Sequence, residues 1–404
     1  MPHNQPIPAN EFERLLELSD LDLDYSDLKE NFKDLLKLAA RVAGADISLV
    51  NLIDSFTQWT VANHGLPIEQ MPREESVCQY TIMENEPFEV KDLKLDPRFR
   101  DKPYVAGGPM LSYYFGVPLT TKKGIHIGAL CVMDQEAKVL SPEKVEMLRI
   151  IADEIVNRLM ILKLMNSLTH DLHEAKEMKK RVAHDIRGPI GGIIGLADLV
   201  NKRGESNKLD EVLEFIRMIQ KSSTSLLELA DEILNAEVKA AAKQPELKEH
   251  ELNLLVFKDK LEKLYLPQAK NKSVNFVVNI DPKNGVAPFP KNKLLQITGN
   301  LISNAIKFTP ANGTVTVDLD LLLESQSKTL HIKVSDTGIG LDQEKLKSIL
   351  SGQGTSSTEG TKGEQGYGFG LPLVKYLIDT LKGKLDIHST NAGTTFEVKL
   401  PVQG

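Results

Sequence analysis

The sequence predicts a multidomain α+β chain: an α/β sandwich, a long coiled-coil helix running into a helical hairpin, and a second α/β sandwich. Three observations carry this. At roughly 100–200 residues per domain, the 404 residues make two or three folded units rather than one. Short β-rich runs separated by turns fill 46–134 and return beyond residue 250, alternating there with helical segments. Between them, from Pro142 to Ala240, apolar residues recur every three or four positions.

Composition narrows the function. With 41% hydrophobic and 26% charged residues the chain is ordinary globular protein, which excludes disordered and collagen-like readings. The formal charge of −7 is wrong for a protein that grips a nucleic-acid backbone, so no direct nucleic-acid partner is expected. The 2 cysteines, Cys78 and Cys131, have no second thiol or histidine at ligand spacing, so a disulfide framework and a zinc knuckle are excluded. No stretch reaches the roughly 18–20 apolar residues that span a bilayer. The best, Ile150 to Met165, carries Asp153, Glu154, Arg158 and Lys163. Met1 to Asn10 is not built like a signal peptide. A cytoplasmic protein without a transmembrane segment is expected.

In chain order, helices are predicted over 11–18 and 25–42, followed by strands at 47–53, 58–62, 112–117 and 126–133. Ser141-Pro-Glu-Lys then starts a helix, with proline in the first turn. Its stripe (Val145, Leu148, Ala152, Ile155, Leu159, Leu162, Met165, Leu168, Leu172, Ala175, Met178, Val182) reads as a parallel coiled coil, with the heptad interrupted between Leu162 and Leu168. A second helix, Lys208 to Ala240, steps through Val212, Ile216, Ile219, Ser223, Leu226, Ala230 and Ile233. The two helices form a hairpin, and two hairpins from two chains would make a four-helix bundle. Ala240 to Pro245 reads as a linker. Beyond it helices are predicted at 254–269, 291–308 and 371–382, and strands at 274–280, 313–323, 329–334 and 394–400.

The chemistry-bearing residues begin in the hairpin, at Arg181-Val-Ala-His-Asp-Ile-Arg-Gly-Pro-Ile190. Val182 and Ile186 face inward, so His184 points to solvent. Asp185 follows it and can accept the Nδ1 proton, leaving Nε2 as nucleophile. Pro189 and the glycines at 188, 191, 192 and 195 disfavour a straight helix, each glycine by about 1 kcal/mol against alanine. Further on, Asn300, Asn304 and Lys307 stand at i, i+4 and i+7 on one helix face, with Leu301, Ile302, Ala305 and Ile306 on the core side. Amide oxygens suit a Mg2+ that also holds phosphates, and the lysine adds positive charge. Val334-Ser-Asp-Thr-Gly-Ile-Gly340 follows a strand and offers Asp336 as acceptor, with Gly338 and Gly340 permitting close backbone approach. Gly366-Tyr-Gly-Phe-Gly-Leu-Pro372 opens a helix whose free N–H groups favour anions.

His184-Asp-Ile-Arg-Gly-Pro-Ile190 resembles the H-box of sensor histidine kinases. The three later segments resemble, in order, the N, G1 and G2 boxes of the GHKL ATPase superfamily. This resemblance implies ATP and Mg2+ as cofactors, with His184 and Asp185 catalytic and Asn300 and Asn304 holding the metal. It implies nucleotide contacts from Asn300, Asn304, Lys307, Asp336, Gly338, Gly340, Gly366, Gly368, Gly370 and Leu371, with Thr394, in the Gly393-Thr394 pair, near adenine. The stretch from Gly352 to Gly366 takes the place of the mobile ATP lid, and Leu346, Ile349 and Leu350 stand where an aromatic F-box is usual. Gly188 occupies the position of the family's phosphatase Thr or Asn, which implies weak or absent phosphatase activity. Neither a P-loop nor the HRD and DFG motifs of protein kinases occur.

The first unit resembles a GAF domain through Leu95-Asp-Pro-Arg-Phe99, Phe115-Gly-Val-Pro-Leu119 and Gly128-Ala-Leu-Cys-Val-Met-Asp134. GAF domains bind small ligands or chromophores, or only dimerise, so a small-molecule ligand is implied without its identity. The cysteine–histidine pair that commonly holds a bilin is missing, since Gln79 follows Cys78 and Val132 follows Cys131. The organisation expected is thus a GAF-like sensor over 1–160, a signalling helix and phosphoacceptor hairpin over 161–247, and a GHKL ATP-binding domain over 248–404. Together these imply a homodimeric sensor histidine kinase that autophosphorylates on His184 and passes the phosphoryl group to a separate response regulator. The rival readings are a GHKL conformational clamp that hydrolyses ATP without phosphohistidine, and a non-enzymatic GAF dimer.

Overall fold

The structure is a computed structural model that describes residues 6–23, 25, 28–203, 208–235, 251–291, 293–323, 328–341, 360–361 and 367–402. In the helices, only the backbone of 170–171, 173–185, 209, 225 and 228–235 is described. The chain divides into two compact units, 1–164 with 247–403, and 165–246.

In the first sandwich, α1 (Glu11–Ser19) precedes α2 (Lys29–Ala43). α2 buries Phe32, Leu36, Ala39, Ala40 and Ala43, one face of a helix. It ends at Gly44, whose φ of 70° is the left-handed stop that glycine adopts without strain. The chain then gives β1 (Ile47–Ile53), β2 (Thr57–His64), β3 (Gln70–Pro72), α3 (Cys78–Thr81) and β4 (Phe88–Val90). α4 (Pro103–Ala106), β5 (Tyr113–Thr120) and β6 (His126–Asp134) complete it. The six strands form one antiparallel sheet in the order β3-β2-β1-β6-β5-β4. Because β1 is buried on both faces, it reads as a near-continuous apolar run. Val50, Leu52, Val61, Val117 and Val132 belong to the core that also takes in Phe32 and Leu36 of α2. Leu49, Phe99, Tyr114, Cys78 and Cys131 belong to a second, separate core. In the latter, Asn51 Nδ2 donates to both sulfurs, at 3.2 Å to Cys78 and 3.4 Å to Cys131, and the Tyr114 hydroxyl donates to Cys78 Sγ at 3.2 Å.

α5 runs from Pro142 to Arg203 as one helix, with Pro189 inside it. Its opening turns bury Leu148, Ile151, Ala152, Ile155, Val156 and Leu159 in the first-sandwich core. The stripe that reads as coiled coil is therefore, at its start, a domain-packing face. α6 is Leu209–Asn235. The hairpin loop at 204–207 and the linker from Ala240 to Pro245 lie outside the described residues.

The second sandwich comprises β7 (Glu251–Leu252), α7 (Leu254–Asn271), β8 (Asn275–Ile280), β9 (Phe289–Pro290) and α8 (Leu294–Phe308). β10 (Thr314–Leu323), β11 (Lys328–Asp336), α9 (Gly370–Thr380), β12 (Lys384–Thr390) and β13 (Gly393–Val402) follow. Asn253 caps α7, its side-chain oxygen accepting from Val256 N at 2.8 Å. Five strands make a mixed sheet in the order β12-β13-β11-β10-β8, in which only β8 and β10 pair in parallel. β10 buries Val315, Val317, Leu319 and Leu321 on one face, and Ile297, Leu301, Ile302 and Ala305 of α8 share that core. Each buried Val, Leu or Ile among them is worth roughly 1.5–3 kcal/mol of burial, which fixes α8 in rotation and so fixes where its polar residues stand. The strand β12 is an addition to the sequence expectation.

Candidate nucleotide site

At the end of β11, Asp336 Oδ1 accepts from the backbone N–H groups of Gly338 at 2.8 Å and Thr394 at 3.1 Å. These bonds tie the turn after β11 to the start of β13. Burial pushes the Asp336 carboxyl above its ordinary pKa, against the opposing pull of the two N–H groups. The glycines here have reasons inside their own domain. A Cβ on Gly338 would stand 2.5 Å from Phe308 O, and one on Gly340, where φ is +74°, would stand 2.0 Å from Thr390 O. The close approach foreseen for a ligand is thus made first by the chain's own backbone. The Thr394 hydroxyl is 2.9 Å from Ser389 Oγ, which in turn accepts from Leu341 N at 2.7 Å.

On α8, Asn300, Asn304 and Lys307 are only 3%, 6% and 6% exposed. The face that reads as polar is thus covered rather than open to solvent. Asn300 Nδ2 donates to Gln296 O at 2.9 Å, which commits its nitrogen to the helix and leaves Oδ1 toward Gly370, 3.1 Å from where a Cβ of that glycine would be. Asn304 Nδ2 is buried with no hydrogen-bond partner. A buried amide in that condition suits a polar ligand, since leaving it unmade costs about 1–3 kcal/mol. Lys307 Nζ lies 4.9 Å from the Phe308 ring centroid and 5.8 Å from that of Phe56.

Gly370 begins α9, with Leu371 partly buried against the core and Gly368 at φ 79° just before it. Beside this glycine-rich turn stand three residues of the first sandwich that the motif spacing does not announce. The Phe56 ring would collide with any Cβ on Gly370, at 2.5 Å. The Arg73 guanidinium lies 4.1 Å from the Tyr367 ring centroid. The Tyr367 hydroxyl donates to Gln79 Oε1 at 2.7 Å. Burial raises that hydroxyl to about 12, with Arg73 pulling the other way, so it stays a neutral donor throughout the working pH range.

His184 and Asp185 fall on α5, where only the backbone is described. Gly366, the stretch 342–359 and the positions Leu346, Ile349 and Leu350 within it lie outside the described residues. Among the described residues no cluster of three His, Cys, Asp or Glu side chains could hold a metal. Amide oxygens such as those of Asn300 and Asn304 are ligands of the neutral, hard kind that Mg2+ accepts. Among the described residues no helix is long and apolar enough to cross a membrane.

Comparison with known proteins matches two segments of the chain to domain families. Residues 290–404 match the family of histidine kinase-, DNA gyrase B-, and HSP90-like ATPases, and residues 27–159 match the GAF domain family. The chain therefore joins a GAF domain to a histidine-kinase-type ATPase domain. Among curated proteins it is 34% identical over 226 residues to the autoinducer 2 sensor kinase/phosphatase LuxQ of Vibrio vulnificus, covering 55% of this chain and 26% of the relative. It is 30% identical over 223 residues to the histidine protein kinase DivJ of Caulobacter vibrioides, covering 55% and 36%. It is 38% identical over 162 residues to the cyclic di-GMP phosphodiesterase PA2567 of Pseudomonas aeruginosa, covering 40% and 28%. The chain thus spans between 26% and 36% of the length of these relatives.

Proposed function

We propose that this protein is a two-component sensor histidine kinase, a GAF-controlled protein-histidine kinase that works as a cytoplasmic homodimer. The observation that carries the reading is the meeting of Asn300 and the N-terminus of α9 at Gly370, inside a domain that matches the histidine kinase-type ATPases. ATP would bind with its adenine amine donating to Asp336, and Thr394 would lie beside the base. Its phosphates would lie between the α8 face, where Lys307 adds positive charge, and the N–H groups opening α9, which favour anions. Asn300 and Asn304 would hold Mg2+, which when bound neutralises charge on the phosphates. Gly338, Gly340, Gly366, Gly368 and Leu371 would shape the rest of the cleft.

Transfer then needs little covalent help from the domain, because positioning and charge neutralisation supply most of phosphoryl-transfer catalysis. His184 Nε2 would attack the γ-phosphorus, the bond to the β–γ bridging oxygen would break, and ADP would leave. Asp185 would hold the imidazole through Nδ1–H and take that proton as the phosphoimidazole forms. In the second step an aspartate of a separate response regulator would displace the histidine, with P–O bond formation and P–N cleavage. Dimerisation through a four-helix bundle is supported by α5 and α6, which leave Leu168, Ile190, Ile194, Leu213 and Ile216 exposed in the single chain. With Gly188 in place of a water-orienting side chain, weak or absent phosphatase activity is expected. A regulator dephosphorylated well above its own decay rate would contradict this.

Labelling with γ-labelled ATP tests the proposal. Acid-labile, base-stable label that disappears in His184→Gln supports it. Steady ATP hydrolysis without retained label would instead favour a conformational clamp, and neither activity would leave a non-enzymatic GAF dimer.

A further inference from the structure

We infer that the β1–β2 turn of the GAF domain is a docking surface for the glycine-rich start of α9, and that docking places Phe56 where nucleotide phosphates must go. This rests on the nucleotide-site reading above and adds its control.

The turn is built to hold its shape. Glu11 sits fully buried between two arginines, 2.8 Å from Arg14 Nη2 and 2.5 Å from Arg73 Nη1. Burial alone would raise the Glu11 carboxyl, but the two guanidiniums outweigh it and hold the pKa at about 2. Both arginines reach on to backbone at the turn. Arg14 Nη1 donates to Ile53 O at 2.5 Å, and Arg73 Nη1 donates to Asp54 O at 3.2 Å. Arg73 N donates to Phe56 O at 2.8 Å. Phe56 is therefore presented by a buried, charged, hydrogen-bonded scaffold, in which Arg73 Nε and Nη2 have no hydrogen-bond partner.

The scaffold also grips its target. Arg73 lies against the Tyr367 ring and Gln79 takes the Tyr367 hydroxyl, which bracket the turn preceding α9. A cation held over an aromatic face is attracted by the ring, more strongly when the pair is desolvated. Phe56 then lies against Gly370, and only a glycine there leaves room for the ring. Asn300 Oδ1 and Lys307 Nζ flank the same place. An uncharged ring and a polyphosphate cannot share it. Around it the contact mixes polar and aromatic pairs: Lys293 Nζ pairs with Asp20 at 2.6 Å, Lys293 N donates to Asp22 at 3.0 Å and Gln70 Nε2 donates to Leu264 O at 2.6 Å, while Trp59 packs on Tyr265 and Phe12 on Tyr376. Gln79 directly follows Cys78, one of the two sulfurs bonded to Asn51, so a change in that core reaches the grip on Tyr367 through a single peptide unit.

The account makes docking and nucleotide binding mutually exclusive. If the docked form holds about nine-tenths of the population, apparent nucleotide affinity falls about tenfold. The test is titration of the full chain with a fluorescent N-methylanthraniloyl ATP in the presence of Mg2+, comparing wild type, Phe56→Ala and Phe56→Ala/Asn304→Asp. The expected result is about tenfold tighter binding in Phe56→Ala and its loss in the double variant. Equal affinity in wild type and Phe56→Ala overturns the docking proposal and leaves the nucleotide site standing. Undiminished binding in the double variant overturns the nucleotide site instead. Hydrogen exchange on the unmutated protein guards against a misfolded variant. A saturating non-hydrolysable ATP analogue is expected to raise exchange in 54–58 and 73–80, and unchanged exchange there refutes the proposal.

Discussion

At the Asp336 end of the candidate site, every partner comes from the same sandwich: the N–H groups of Gly338 and Thr394, and the backbone oxygens of Phe308 and Thr390 that exclude side chains at the two glycines. At the Gly370 end, the neighbours Phe56, Arg73 and Gln79 belong to the other sandwich. The difference teaches where control can act. On the proposed reading, the base-binding end is finished within its own domain and would form whatever the GAF domain does, whereas the phosphate end would change its lining if the GAF domain moved.

The hardest blow to the comparison falls on Glu11. In Glu11→Gln, Arg14 and Arg73 stay buried without their carboxylate, and breaking a buried pair in this way costs about 3–5 kcal/mol. Urea denaturation of the variant is expected to show a loss of that size. The same group sets an acid dependence. Its pKa falls from an ordinary 4.5 to about 2 on folding, so its stabilisation is complete above the ordinary value and is lost as the pH drops toward 2. The Gln variant is expected to lose that part of the slope.

Next comes Asp336→Asn, which touches only the self-contained end. Adenine-nucleotide affinity is expected to fall about tenfold to a hundredfold, the range of a charge-assisted hydrogen bond. Because burial raises this carboxyl, it protonates at a higher pH than an ordinary aspartate, so wild-type affinity is expected to weaken as the pH falls through that raised value. The variant should show a flat profile. The same substitution placed on Phe56→Ala should lose affinity by an equal factor, since the two ends act independently; unequal factors would break the comparison.

The smallest effect belongs to the grip. A double-mutant cycle of Gln79→Ala and Tyr367→Phe, read by denaturation, is expected to return a coupling of about 1 kcal/mol. A coupling of zero would remove that contact from the account.

Much of this was legible in the amino-acid order. The four-and-three spacing of Asn300, Asn304 and Lys307 marked both a helix and its polar face, and the alternation of β10 marked its buried side. β12 escaped because it is a sheet-edge strand with Lys384, Asp386, His388 and Thr390 outward and no fully buried residue, so its pattern resembles a polar loop. Phe56 and Arg73 escaped for a different reason. Local periodicity reports what lies one turn or one strand away, and their partners at Tyr367 and Gly370 belong to another domain. A charged residue buried against an aromatic ring also contradicts the usual expectation that arginine lies outside, so even its burial gave no sequence signal.

The central claim is that this chain phosphorylates itself on His184 and that Phe56 restrains the reaction. The most direct measurement is the initial rate of phosphohistidine formation at subsaturating γ-labelled ATP in wild type, Phe56→Ala and His184→Gln. The account predicts faster acid-labile labelling in Phe56→Ala than in wild type and none in His184→Gln. Label that survives His184→Gln, or the absence of acid-labile label in both other proteins, would contradict it.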